Sequence, residues 1–290
     1  MLERMQRLPP TPITATTCID DKFRFLHGTD LSEVTLLAVG SSVTWRNLNV
    51  EMLHRHYGPR VKPINAAPCY IHVNQIAFLA DFYLQHMPRV TTVMSVFAMR
   101  DFSRCVGEPT EFFDAKEAEE YIFQRRSLWY LYFKNFRVGE FFKYVLNPPD
   151  LQEMDRYGWW PIYRHPEPLA DVTVDEACFM HLRRLSDTFA ARGVGFVVVL
   201  MPPMPTWLNH FDRDGRRDKA YRAAVSAHIH PEHTVLIDAA QGLHLGDNDF
   251  TDAAHIKGTS VPTFTRYLLH RLDEREIQGR LYLTGTRSDL

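Results

Sequence analysis

The chain contains an apolar run of seven residues, GFVVVLM at Gly195–Met201, without the alternation of polar and apolar residues that marks a half-exposed strand. β-branched runs of this kind are typical of a strand that is covered on both faces, as in a parallel sheet. Long helical patterns separate this run from other short apolar runs, which favours a parallel sheet with right-handed crossovers. The remaining strands are predicted at Thr35–Val39, Val61–Asn65, Thr92–Phe97 and Thr234–Asp238.

Helices are predicted between these strands and after the last one. The clearest is Val174–Arg192, which has acidic residues near its start and Gly193 directly after its end. The others are expected at Thr44–Tyr57, His72–Gln85, Asp218–His228 and Ser260–Leu272.

Composition limits the classes of partner. The 290 residues are 45% hydrophobic and carry 33 basic and 35 acidic side chains, for a net charge of −2. This balance lacks the basic excess of a nucleic-acid-binding protein. No apolar stretch reaches the length of a membrane span, and the first residues contain no apolar region of a secretory signal. We therefore expect no nucleic-acid partner and no membrane span.

The cysteines predict a compartment. Cys18, Cys69, Cys105 and Cys178 are widely spaced and form no CxxC pattern. Such spacing fits buried or free thiols in a reducing compartment better than a disulfide framework or a zinc site. A cytoplasmic location is therefore expected, or a periplasmic one if a leader or membrane segment is missing from this chain.

The chain is expected to form one α/β domain over residues 33–275, with flanking and inserted segments. Residues 1–32 are predicted to be an irregular lead-in, and residues 276–290 a C-terminal tail. An aromatic-rich insertion at about 108–169 is predicted to form one or two helices followed by an irregular loop. Its aromatic side chains either enter the core, which is the favoured interpretation, or cover the active-site face and bind a sugar.

Reactive side chains follow the strands at the edge where ligands bind to open parallel sheets. Ser41 and Ser42 follow the first strand, while Asp252 and His255 lie between the last strand and the final helix. A nucleophilic serine needs a base, and that base needs an orienting group. Asp252 and His255 are three residues apart, a spacing that one helical turn brings together. Taken singly, the serines also fit a capped turn, Asp252 a turn residue and His255 a surface histidine.

Together these motifs resemble the SGNH/GDSL hydrolase family. That family has a Gly-Asp-Ser or Gly-Ser-Ser block after its first strand and an Asp-x-x-His block near its C-terminus, matched here by Gly40-Ser41-Ser42 and Asp252-Ala253-Ala254-His255. The resemblance covers residues 33–275 without the insertion. It implies a three-layer, flavodoxin-like fold with helices on both faces of a five-stranded parallel sheet. It also implies Ser42 as nucleophile, and neither a cofactor nor a metal.

Two blocks depart from the family pattern and bear on the oxyanion hole. Where the family usually has a glycine whose N–H binds the oxyanion, the sequence INAAPCY places Cys69 or Tyr70. Where it typically has Gly-x-Asn-Asp, the sequence AMRD places Arg100 and Asp101, which also fit a salt-bridged turn. The second of these blocks, which continues as MRDF, resembles the variants of family members associated with bacterial polysaccharide modification.

The expected function is hydrolysis or transfer of an O-acyl group, expected to be acetyl, on an acylated carbohydrate or another small ester. Ser42, His255 and Asp252 would form the triad, and Ser42, Cys69, Tyr70, Arg100 and Asp101 would bind substrate and the oxyanion. The alternative is an inactive relative that binds a glycan or a protein. A metal site at the His-rich segment AHIHPEH (227–233) is not expected, because no acidic or cysteine partner stands at ligand spacing.

Overall fold

A parallel sheet forms the centre of the computed structural model, which describes residues 8–146, 154–163 and 169–277. Its five strands follow the order β2-β1-β3-β4-β5, and every neighbouring pair is parallel. The predicted α/β class and parallel sheet are therefore confirmed. The strands are β1 (Leu36–Ala38), β2 (Pro63–Asn65), β3 (Thr92–Phe97), β4 (Gly195–Leu200) and β5 (Thr234–Asp238), and a separate hairpin contains β6 (Phe250–Asp252) and β7 (His255–Ile256).

Helices connect and flank these strands, and four of them lie close to the predicted positions. In the described residues no helix is both long enough and apolar enough to cross a membrane. The helices are α1 (Thr17–His27), α2 (Ser42–Asn47), α3 (Val50–Tyr57), α4 (Val73–His86), α5 (Ala115–Ile122), α6 (Leu131–Lys134), α7 (Val138–Leu146), α8 (Glu176–Ala191), α9 (Pro205–Phe211), α10 (Arg216–Ala227) and α11 (Val261–Ile277).

The sheet separates two apolar layers, because successive side chains of a strand point to opposite faces. On β4, Val198 joins a cluster with Phe23 of α1 and Leu182 of α8. Its neighbour Val197 joins a second cluster with Phe264 of α11. Helices thus cover both faces of the sheet, as the predicted three-layer arrangement requires.

The single helix predicted over Thr44–Tyr57 is divided into α2 and α3. Asn49 causes the break, since its side chain accepts a hydrogen bond from the N–H of Met52 and caps α3. Asn65 Nδ2 lies 3.3 Å from the carbonyl oxygens of both Trp45 and Leu48, so it binds the last turn of α2. These bonds fix the short helix that follows the Gly-Ser-Ser turn.

The prediction of an irregular lead-in over residues 1–32 is wrong for α1. Thr16 caps this helix by accepting from the N–H of Ile19, and Phe23 and Leu26 bury its apolar face. The proline- and threonine-rich start of the chain masked the helical pattern that follows it. Residues 1–7 and most of the predicted tail, residues 278–290, lie outside the described residues.

The prediction of free thiols is also wrong. The structure contains two disulfides, Cys18–Cys69 and Cys105–Cys178, which link residues 51 and 73 positions apart. Neither pair leaves a local pattern in the sequence, because the fold rather than the spacing brings each pair together. Cys18–Cys69 joins α1 to the loop after β2.

The aromatic insertion forms α5, α6 and α7, followed by a loop that the structure describes over residues 154–163. The prediction that its aromatics enter the core is wrong for Trp129, Phe133, Phe136 and Phe142, all of which are exposed. The helical part contacts the N-terminal segment, where Tyr132 Oη donates to the carbonyl of Pro9. Residues 147–153 and 164–168 of the predicted insertion lie outside the described residues.

Candidate active site

The Gly-Ser-Ser block forms the turn between β1 and α2. Ser41 is the N-cap of α2, and its Oγ accepts a hydrogen bond of 3.1 Å from the N–H of Val43. Ser42 is the first residue of the helix. Ser41 therefore has the capping role, which leaves the Ser42 hydroxyl for other partners.

Asp252 and His255 meet across a tight hairpin rather than along a helical turn, so the predicted helical geometry is wrong. Asp252 ends β6 and His255 begins β7, and the two are paired in the antiparallel register. Asp252 Oδ1 accepts from the N–H groups of Ala254 and His255, at 2.8 and 3.0 Å. These two bonds hold the turn and fix the carboxylate beside the imidazole.

Among the three predicted triad residues, His255 lies within hydrogen-bond distance of both Ser42 and Asp252. His255 Nε2 is 2.9 Å from Ser42 Oγ, and His255 Nδ1 is 2.7 Å from Asp252 Oδ2. All three side chains are buried. Chemically, this is a hydroxyl that faces a base whose other ring nitrogen is oriented by a carboxylate, the arrangement that activates a serine nucleophile.

Neither a protein-family model nor a curated protein matches this chain.

Asp252 is held as a carboxylate. Burial by itself would raise its pKa, but the hydrogen bond and charge of His255, together with the N–H of Ala254 and the charge of Arg100, outweigh burial and lower the pKa below its ordinary value of 3.8. The carboxylate is thus ionised at neutral pH, as an acceptor for the Nδ1 proton requires. Nδ1 donating to Asp252 leaves Nε2 of a neutral imidazole as the proton acceptor that faces Ser42.

Asn47 connects α2, which begins at Ser42, to the hairpin that contains His255, a role that the sequence did not indicate. Its Nδ2 donates to the carbonyl of Ala254 at 2.9 Å, and its Oδ1 accepts from the N–H of Ile256 at 2.8 Å. Asn47 is fully buried. Because these bonds flank His255, Asn47 fixes the distance between His255 and Ser42. Nothing in the spacing of Asn47 distinguishes it from an ordinary polar residue near a helix end.

Asp101, a predicted substrate-binding residue, instead joins two blocks of the site. One carboxylate oxygen accepts from Ser41 Oγ at 2.6 Å, and the other accepts from the N–H of Ala98 at 2.9 Å. Asp101 is buried, so it does not face a substrate. The alternative of a salt-bridged Arg100–Asp101 turn did not include this bond to Ser41, the residue before Ser42.

Asp101 also predicts a pH-dependent stability. Burial raises its pKa to about 6, against the opposing hydrogen bonds from Ser41 and Ala98. The folded state therefore binds more protons than the unfolded state between about pH 4 and 6, so stability falls as pH rises through this window. We expect Asp101→Asn to reduce this loss by on the order of 2 kcal/mol, measured by urea denaturation at pH 4.5 and 7. A partly exposed control, Asp187→Asn, should keep the wild-type dependence of stability on pH. An unchanged pH dependence in Asp101→Asn would contradict the assignment.

The other predicted oxyanion residues have different surroundings. Cys69 is buried in its disulfide, whereas the adjacent Tyr70 is exposed and has a φ of +59°. This left-handed conformation is unusual for a residue with a β-carbon and is the kind that glycine adopts without strain. Arg100 is half-buried, and its carbonyl accepts from Ser103 Oγ at 2.7 Å.

The loop at residues 154–163 braces α2 on the side of Trp45 and Arg46. Trp45 Nε1 donates to the carbonyl of Gly158 at 2.9 Å, and Trp159 Nε1 donates to the carbonyl of Arg46 at 3.0 Å. The Arg46 guanidinium carbon lies 3.6 Å from the ring centre of Trp45 and 4.0 Å from that of Trp160. This stacked cluster begins one helical turn after Ser42, so the loop supports the helix that begins at Ser42.

Proposed function

We propose that this protein is a serine-dependent ester hydrolase or O-acyltransferase that acts on acylated carbohydrates. The main support is the buried hydrogen-bond chain from Ser42 through His255 to Asp252. Its two short contacts connect a hydroxyl, a base and an orienting carboxylate. The resemblance of the Gly-Ser-Ser and Asp-x-x-His blocks to SGNH/GDSL hydrolases supports the same reaction class.

In the proposed reaction, Ser42 Oγ attacks the ester carbonyl carbon while His255 Nε2 takes the serine proton. Asp252 stabilises the imidazolium through its bond to Nδ1–H. The tetrahedral intermediate then collapses, the carbon–oxygen bond to the alcohol breaks, and His255 returns the proton to the leaving alcohol. Water or a sugar hydroxyl attacks the acyl-serine next, with His255 again as base, which gives hydrolysis or transfer respectively.

The oxyanion requires donors in place before the reaction. We assign this role to the N–H of Ser42, which begins α2 and has no intrahelical acceptor, and to the main-chain N–H of Tyr70. Of Cys69 and Tyr70, the positive φ of Tyr70 selects it as the residue in the glycine-like conformation. Arg100 adds positive charge at this edge, since its charge opposes the rise that burial causes in the pKa of Asp101 and contributes to the lowered pKa of Asp252.

Tyr70 gives a testable consequence of this assignment. Tyr70→Gly should raise the free energy of unfolding by up to about 1 kcal/mol, because glycine relieves the left-handed strain. It retains the main-chain donor, so activity on a small acetate ester should fall less than tenfold. Tyr70→Ala, which removes the ring but keeps a β-carbon, should give no such gain. Equal stabilities of the two variants by urea denaturation would contradict a strained Tyr70.

The disulfides favour an oxidising compartment, and the exposed Tyr70 ring favours a carbohydrate substrate. Disulfides persist in oxidising compartments, so Cys18–Cys69 and Cys105–Cys178 favour one of these over the cytoplasm predicted from the cysteine spacing. Tyr70 is 64% exposed beside the proposed oxyanion site, and an aromatic face of this kind suits an amphipathic sugar ring. Both features are in keeping with an extracytoplasmic carbohydrate ester.

Labelling with a fluorophosphonate probe separates an enzyme from a non-catalytic glycan- or protein-binding relative. We expect stoichiometric labelling of wild type at Ser42, located by peptide mass spectrometry, because the probe reacts with a base-activated serine. Heat-unfolded protein should not be labelled. Selective glycan binding with neither labelling nor ester turnover would instead favour the binding protein.

A further inference from the structure

A cavity of about 290 Å³ lies beside the triad. Most of the side chains that line it are apolar, including Val172, Met99, Met201, Pro202, Met204 and Trp207. Trp207 is fixed in the wall, because its indole Nε1 donates to the carbonyl of Ala170 at 2.9 Å. The cavity is thus an apolar pocket with at least one rigid wall.

Two stretches of its lining also build the catalytic centre. One is Ala98–Arg100 after β3, which is joined through Asp101 to Ser41, the residue before the nucleophile. The other is Asp252–Ala254, the turn that carries His255. These two segments therefore place the cavity next to the residues that hold Ser42 and His255.

Tyr221 gives the cavity a polar group that the fold does not use. The side chain is 3% exposed, and its hydroxyl finds no hydrogen-bond partner among the described residues. A buried hydroxyl without a partner is costly, so such groups are normally satisfied. Burial raises the pKa of Tyr221 well above its ordinary value, so the hydroxyl stays protonated and can donate a hydrogen bond.

The neighbouring charged groups of the cavity are already engaged within the protein. Arg222 Nε pairs with Asp218 at 2.7 Å, and its Nη2 donates to the carbonyl of Met201 at 2.7 Å. Asp252 is bound to His255. Among these neighbouring groups, Tyr221 is the one whose polar atom has no hydrogen-bond partner among the described residues.

We propose that this cavity binds the acyl group of the ester, and that this acyl group is longer than acetyl and carries an oxygen that accepts a hydrogen bond from Tyr221. The inference rests on the proposed function, since it needs an acyl group on Ser42. The apolar lining favours the acyl chain over the sugar, because most hydroxyls of a buried sugar would lack partners here. A cavity of about 150 Å³ already holds benzene. The present one therefore has far more room than the methyl group of the expected acetyl ester occupies.

The test compares kcat/KM for 4-nitrophenyl acetate, butyrate and hexanoate, and for hexanoates with a hydroxyl at successive carbons. We expect hexanoate to exceed acetate by about tenfold or more, as burial of several methylenes predicts. The best hydroxyhexanoate should exceed hexanoate by about fivefold, the usual effect of one hydrogen bond. Tyr221→Phe should reduce this second ratio to about one. Tyr267→Phe, a control tyrosine outside the cavity lining, should keep the ratio.

A second variant tests the cavity without touching Tyr221. Val172→Trp places a large ring in the lining and should lower the hexanoate-to-acetate ratio at least fivefold, with melting temperature measured to verify folding. A preference for acetate in wild type, or a hydroxyl preference that survives Tyr221→Phe, would overturn the inference. The proposed function would still stand if acetate turnover depended on Ser42.

If no ester is hydrolysed, the proposed function fails. Ligand binding alone then tests whether the cavity accepts an oxygenated acyl chain. Hexanamide and the hydroxyhexanamides are then titrated calorimetrically into wild type and Tyr221→Phe. A hydroxyl preference that only wild type shows supports the cavity as an oxygenated-acyl site, and absence of binding overturns it.

Discussion

Ser42→Ala should lower kcat/KM for 4-nitrophenyl acetate by about 10⁴-fold or more, to near the background rate. The side chain supplies the atom that forms the acyl intermediate, and no other hydroxyl is placed 2.9 Å from His255 Nε2 in the described residues. The substitution removes one oxygen from a helix start that Ser41 caps, so the fold should persist. Initial rates and a thermal melt on the same preparation provide the measurement.

Ser41→Ala is the matched control, because it removes the same atom from the adjacent residue. The loss of its bonds to Val43 N–H and Asp101 should cost about 1 kcal/mol or somewhat more in stability. Activity should fall by less than about 100-fold, since Ser41 positions the turn without reacting. Wild-type activity in Ser42→Ala, or an equal loss in both variants, would rule out Ser42 as the nucleophile.

The sheet was predictable because each strand is a short apolar run with its own boundaries. A β-branched run such as Gly195–Leu200 has one stable environment, the middle of a covered parallel sheet. Helix α8 was equally clear, with acidic residues at its start and glycine after its end. By contrast, one side-chain bond from Asn49 decided that α2 and α3 are separate, and helical periodicity does not report such a bond.

The residues of the proposed triad could be named from the sequence, whereas the contacts that align them could not. Chain order and strand ends placed Ser42 near Asp252 and His255, since carboxyl ends of parallel strands share one edge. The bond between Asp252 and the N–H of Ala254 favours a hairpin over the helical turn that the spacing suggested. The bonds of Asn47 and the two disulfides join residues that are distant in the chain, and no local pattern encodes such contacts.

Gly40→Ala should have the second large effect, a loss of about 3 kcal/mol in the free energy of unfolding. A β-carbon at Gly40 would overlap Thr44 Oγ1 and lie 2.7 Å from Thr44 Cβ. Thr44 cannot move away, because it is fully buried. Its Oγ1 donates to the carbonyl of Val96 at 2.9 Å and accepts from the N–H of Val96 at 3.0 Å. The glycine of the Gly-Ser-Ser block is therefore required for close approach between the turn and α2.

The same clash should move the start of α2 and so separate Ser42 from His255. A displacement of about 1 Å in a catalytic group costs on the order of 100-fold in rate, so we expect at least that loss in kcat. Gly139→Ala is the control, since a β-carbon there meets no atom within 4 Å. The cost of Gly40→Ala should shrink in a Thr44→Ala background, because the overlapping oxygen is then absent. Additive costs in urea denaturation of the single and double variants would show that Thr44 is not the obstacle.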